Sequence, residues 1–453
     1  MKRGVTVMEE KSFNQQVLSI AIPVALQNLI VSMLNTLDTM MISSLGDAAI
    51  AGVGLANQLF FVFTFICFGI NTGSSVIISQ YWGKRDRRNV QRVNSLALIL
   101  SIVLASVFTL VGFAFPRQLI SLMIQDPTVV EAGATYLGVA IFSYIVTAIS
   151  FSLASTLRST GNPRTPLVAS IISFFANAFF NYVFIFGKLG FPEFGVAGAA
   201  IGTIIARIIE LTIIVYVIHT YDGPLRGSMK SSLDFDGVFV RKYFVTALPV
   251  IVNETFWSLG QVMYNIAYAM IGTEAVAATQ VCVAIQNIVF VIVRGLGNAA
   301  SIMIGNKIGQ GFFEEVYHYA IRFLKLALVT GLVIGLIVAL TPDYSLALFG
   351  NLSPAVRQIA SQLLRVMGLV FIVKAMTSVI VVGILRGGGD TKFAMFLDMG
   401  TSWLIGVPLA FLGAAFFQWP IHYVVALVSL EEVVKAMIGL HRVQTKAWIR
   451  NVT

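Results

Sequence analysis

Charge is the scarcest commodity in this sequence: only 11% of its 453 residues are Asp, Glu, Lys or Arg. A soluble domain carries about 25% charged residues, so this chain lacks the means to cover a water-facing surface. Cysteine is scarcer still. Cys67 and Cys282 lie inside apolar stretches, which leaves no disulfide framework and no metal-ligand spacing, and both read as packing residues. The four histidines, His219, His318, His422 and His441, fall near the ends of apolar stretches, and none has HExxH spacing. There is no GxSxG elbow, Walker sequence or zinc cluster, and RGGGDTK (386–392) lacks the spacing of a phosphate loop. The chain is therefore read as not an enzyme, with no metal and no cofactor. The polar first fifteen residues are not followed by a short apolar core and a cleavage site, so no removable signal is expected.

What the sequence has in excess is long apolar runs. It is 57% hydrophobic, with a mean hydropathy of +0.86. Segments such as 96–115 and 326–340 are continuously apolar; a bilayer core is spanned by about 20 such residues, whereas barrel strands alternate over about 10. The runs predict an all-α integral membrane protein with twelve spans, near 16–45, 51–81, 93–115, 130–157, 165–187, 196–219, 243–271, 275–304, 319–340, 355–385, 393–416 and 420–441. An even number puts both termini on one side. Of the Lys and Arg residues in the loops and at the ends of the spans, 22 fall on the side of the termini and three (Arg117, Lys188, Arg357) on the other. The positive-inside rule then places both termini in the cytosol of a cell (inner or plasma) membrane protein. The net charge of +9 is a topology signal, since its basic residues are scattered over short loops, and nucleic acid is not an expected partner.

The chain is one unit written twice. Residues 22–46 (IPVALQNLIVSMLNTLDTMMISSLG) align without gaps to 248–272 (LPVIVNETFWSLGQVMYNIAYAMIG), at an offset of 226. LRSTGNPRT (157–165) matches LRGGGDTKF (385–393) at an offset of 228. Each copy holds six spans, and six is even, so the copies run parallel. This predicts an N-terminal six-helix bundle (1–220), a cytosolic linker (221–242) and a C-terminal bundle (243–453) around a central cleft, a transporter plan.

Polar residues in the spans mark where function is to be sought. On the first span Asn28, Ser32, Asn35 and Thr39 form a stripe with Asp38 beside it; on the seventh, Glu254, Ser258, Gln261 and Asn265 occupy the same repeat positions. These stripes, with Tyr264, are expected to line the cleft. Glu254, Arg294 and Lys374 fall at a similar depth, with Asp398 somewhat shallower, and their charges cancel; they are expected to form an internally compensated network, structural or gating before ion-coupling. Asp38 is the acid with no evident basic partner, because Arg207 and Glu210 are three apart and can satisfy each other. That suits a carboxylate that alternately takes up and releases a proton or another cation.

LNTLDTMMISSLG in the first span, QYWGKRD after the second, LRSTGNPRTP with its counterpart LRGGGDTKF, and GVAGAAIGT before the sixth, in this order over nearly the whole chain, resemble the multidrug and toxic compound extrusion (MATE) family. The resemblance implies antiport of small, cationic, amphipathic organic compounds against protons or sodium ions. It makes Asp38 a coupling residue, adds Asn177 and Thr203, and places Asn181 where some members carry a second acid, leaving a one-carboxylate site. Glu254 resembles an acid used by other members, whose partner position falls near Ala375, beside Lys374. The protein is expected to act as a monomer in the lipid bilayer. The alternative is a flippase for a lipid-linked or anionic substrate, to which Arg294 and Lys374 lend support.

Overall fold

The computed structural model describes residues 12–220, 223–226, 233–347, 349 and 352–453; the side chain of Asn35 and part of the 221–242 linker lie outside the described residues. Among the described residues the regular structure is wholly helical. Each of the twelve expected spans coincides with a helix. In the N-terminal half these are α1 (Phe13–Ser43), α2 (Asp47–Gly83), α3 (Arg87–Ala114), α4 (Pro127–Ala140 with Ser143–Ser159), α5 (Arg164–Ile185) and α6 (Val196–Thr220). In the C-terminal half they are α7 (Gly237–Ala269), α8 (Thr273–Gln310), α9 (Phe313–Leu340), α10 (Pro354–Arg386), α11 (Thr391–Phe416) and α12 (Ile421–Val428 with Leu430–Gln444). Nine of these helices, or ten counting α4 with its 51° bend, are long and apolar enough on their own to cross a bilayer, among the described residues. α7 and α12 are more polar: α7 carries the Glu254 stripe, and α12 carries Glu431, Glu432 and Lys435.

Local chemistry fixes where helices begin, bend and touch. Asp126 caps α4, its carboxylate accepting from the Thr128 and Val129 amides, with Pro127 in the first turn where no N–H is needed. Ser353 and Pro354 start α10 in the same way. Gly311, in the left-handed conformation at φ 86°, ends α8. Pro23 and Pro249, a repeat pair, lie inside α1 and α7. α10 ends in wide π-helical turns (Val379–Arg386), and α11 contains two more, Ser402–Gly406 and Leu412–Phe416, on either side of Pro408, which has no N–H to give. Gly335 and Gly368 let the backbones of α9 and α10 meet; a methyl group on either would land on the other's carbonyl oxygen.

The chain forms two compact units, one of residues 26–78 and 86–240, the other of 12–25, 79–85 and 241–453. The first is packed around Phe63, which stacks on Tyr144 with ring centroids 4.7 Å apart. The second takes in the first turns of α1, where Phe13 stacks on Tyr319 at 5.0 Å. It also takes in the end of α2. Gln80 is fully buried there, donating its amide to the Arg450 carbonyl (3.0 Å) and accepting from the Val452 amide (2.9 Å). Arg450 and Arg442 both reach the buried Asp390, at 3.2 and 2.7 Å, and the Arg450 amide donates to the Gly388 carbonyl. Residues 446–453 are thereby strapped to the ends of α2 and α10.

Candidate functional site

In the first unit, Asp38 on α1 meets two asparagines of α5. Asn181 Nδ2 donates to Asp38 Oδ1 at 2.6 Å and lies 3.2 Å from Asn177 Oδ1, and Asn177 Nδ2 donates to Thr203 Oγ1 on α6 at 3.4 Å. Both asparagines are completely buried. They are four apart on α5, so one helical face presents both. α6 can approach closely because it offers Gly202: a methyl group there would fall on the Asn181 carbonyl oxygen. Tyr136 on α4 is a buried neighbour of Thr203 that sequence reasoning did not find. Arg207 acts on Asp38 electrostatically, while its direct contact is Glu210 at 2.8 Å. The Asn181 carbonyl oxygen is buried with no hydrogen-bond partner among the described residues. One carboxylate thus sits in a cage of neutral donors and acceptors, with an acceptor left over. That set can hold a proton or a small hard cation; carboxylate, amide and hydroxyl oxygens suit both.

Deeper in the same unit, Gln27 Nε2 donates to Ser170 Oγ (3.2 Å), Arg158 donates to Gln27 Oε1 (3.1 Å), and Ser170 donates to Glu210 (2.8 Å). The second unit holds the repeat of this layer. At the 226 and 228 offsets Gln27, Ser170 and Arg158 become Asn253, Asp398 and Arg386. There Asn253 Nδ2 donates to Asp398 Oδ2 at 3.1 Å, and Arg386 donates to Glu254, the neighbour of Asn253, at 2.6 Å. The contacts are copied while the charge is not: a neutral serine has become Asp398.

The expected network of Glu254, Arg294, Lys374 and Asp398 is corrected by these contacts, because none of the four pairs directly with another. Glu254 is held by Arg386, and Asp398 by Lys435 of α12 at 2.8 Å. Lys435 also faces Glu432 at 3.5 Å and Glu431 at 4.0 Å. Glu432 accepts from Thr377, and Glu431 from Tyr264. Arg294 and Lys374 instead lie against the Phe290 ring, 5.6 and 5.7 Å from its centroid. Arg386 lies just beyond the span expected at 355–385, yet it is 2% exposed. The signals were present in the repeat match of Arg386 to Arg158, and in the i, i+3 and i, i+4 spacing of Glu432 and Glu431 to Lys435. Tyr264 is a second correction. Gln261 and Asn265 on α7 are exposed, but Tyr264 is buried against Val407 and Val424, because its hydroxyl finds Glu431.

Duplicated six-helix units with polar layers inside apolar helices define a multi-pass membrane transporter fold. The chain belongs to the MatE family, whose sequence profile matches residues 23–183 and 249–412, one stretch in each half. It is 27% identical over 413 residues, 90% of this chain and 88% of its relative, to the "Probable multidrug resistance protein NorM" of Thermotoga maritima. It is 26% identical over 444 residues, 97% and 96% of the two chains, to the "Uncharacterized transporter YisQ" of Bacillus subtilis. Among solved structures it matches one described as MATE in the bent conformation (TM-score 0.85, 19% identity, 96% of each chain). Another match is an outward-facing multidrug resistance MATE family transporter of the MOP superfamily (TM-score 0.86, 19% identity, 96% of each chain). These structures share the twelve-helix fold.

Proposed function

We propose that the protein is a secondary active antiporter of the cell membrane, with both termini in the cytosol. It exports small, cationic, amphipathic organic compounds, as in multidrug efflux, in exchange for protons or sodium ions by alternating access. The names of its relatives support the efflux reading, and the excess of basic residues on the termini's side of the spans supports the orientation. The observation that carries the coupling is Asp38, in hydrogen-bond contact with Asn181, which links it to Asn177 and Thr203. A carboxylate placed this way binds a cation when occupied and is neutralised by a proton when not, so its state can be tied to the conformation of the unit.

The test is flux in proteoliposomes with proton and sodium gradients imposed independently and a fluorescent organic cation as cargo. Asp38→Asn is expected to lower gradient-driven cargo movement by about tenfold or more, the equivalent of one lost charge-assisted interaction. Counterflow that persists unchanged in Asp38→Asn refutes the role given to this residue.

A further inference from the structure

In the second unit Glu254 and Lys435 have direct ionic partners, whereas Arg294 and Lys374 share one ring. Glu254 is held by Arg386; Lys435 gathers Asp398, Glu432 and Glu431. Arg294 on α8 and Lys374 on α10 have no carboxylate within 4.0 Å among the described residues, and their side chains donate no hydrogen bond there. Glu254 acts on Arg294, and Glu432 and Glu431 act on Lys374, only from beyond contact. These acids offset the charge of the two cations but leave their donors unspent: up to five on a guanidinium and three on an ammonium. What holds the pair in place is the Phe290 ring, itself edge-on to Phe371 at 6.0 Å.

Arg294 is exposed, and Lys374 and Phe290 are partly so. A guanidinium within a spanning helix is too costly to leave against lipid, so an exposed one faces water or a solute. Two cations that repel each other, with free donors beside an aromatic wall, form half of an anion site. We propose that Arg294, Lys374 and Phe290 are a substrate subsite for the carboxylate, sulfonate or phosphate end of an aromatic amphipathic compound, whose ring packs on Phe290. The proposal rests on the transporter reading and deepens it: compounds that carry an anionic group, zwitterions among them, are cargo, and purely cationic ones do not use this subsite.

The test is calorimetric binding of 2-naphthalenesulfonate to the full chain in nanodiscs of zwitterionic lipid, with tetraphenylphosphonium as the cationic comparator. Saturable sulfonate binding is expected, weakened about tenfold or more by Arg294→Gln and by Lys374→Gln, as for a lost charge-assisted hydrogen bond. Arg294→Lys should recover part of it, and Arg365→Gln, an exposed α10 cation away from Phe290, should leave it unchanged. Wild-type protein that binds no sulfonate overturns the proposal without recourse to any variant, as does unchanged affinity in folded Arg294→Gln and Lys374→Gln. If phosphatidylglycerol in the disc abolishes sulfonate binding and is itself retained by the protein in native mass spectrometry, the occupant is a lipid headgroup and the organic-anion proposal falls. Neither result depends on Asp38, so failure of ion coupling and failure of this subsite are separately visible.

Discussion

Asn181 carries more of the first site than its neutral side chain implies. Its amide nitrogen donates to Asp38 at 2.6 Å, and its side-chain oxygen has no partner among the described residues. Replacing it with alanine should lower ion-driven flux as strongly as Asp38→Asn, with a smaller effect on thermal stability, because a buried unpaired oxygen costing about 1–3 kcal/mol is removed at the same time. Gly202→Ala tests the same contact from the other side. Its new methyl group would displace the Asn181 carbonyl, so flux should fall by about tenfold, with over-packing costing about 1–3 kcal/mol in a thermal melt; normal flux in Gly202→Ala would show that the placement of Asn181 is not critical. At this scale the sequence was readable where a motif or a lone charge stood out, as for Asp38. It was unreadable where a partner came from a distant helix: nothing in one dimension aims Lys435 at Asp398, or Tyr136 at Thr203.

Helix α12 shows what a charge cluster does to an element. It breaks at Ser429 and then presents Glu431, Glu432 and Lys435 to the interior within two turns. Lys435→Met would leave three carboxylates facing one another without their shared cation. Loss of one member of a buried pair costs about 3–5 kcal/mol, so a lower melting temperature in detergent is expected, partly restored by adding Asp398→Leu. The start of α4 makes a pH-dependent prediction. The Thr128 hydroxyl and the Thr128 and Val129 amides hold the Asp126 carboxyl below the ordinary carboxylate range. A depressed value means that the cap contributes above the unfolded carboxylate's pKa and is lost as pH falls through the folded one. Amide exchange at 127–131, corrected for its intrinsic pH dependence, should therefore lose protection at acid pH, and Asp126→Asn should remove that dependence. Helix positions were legible because apolar length sets them. The π-helical turns of α10 and α11 were not, since they answer to packing and to Pro408 rather than to composition.

For the molecule as a whole, the strap of residues 446–453 is the feature that hydropathy could not foresee, because it lies beyond the last apolar run. Gln80 and Asp390 are both fully buried beneath it. Deleting 446–453, or replacing Asp390 with alanine, should raise amide exchange at 79–85 and at 387–390 while leaving the first unit unchanged. Exchange that does not change would show the strap to be passive. The duplication, by contrast, was plain in the sequence and reappears as repeated contacts: Gln27 with Ser170 in one unit, Asn253 with Asp398 in the other. Those layers have a consequence for the gene's history. A duplicated and fused gene can let each copy discard what the other keeps, and here the trade is visible: Asp38 in the first copy corresponds to Tyr264 in the second, and Ser170 to Asp398. The halves have become complements, so two first halves joined head to tail would carry the caged carboxylate twice and the Lys435 cluster not at all.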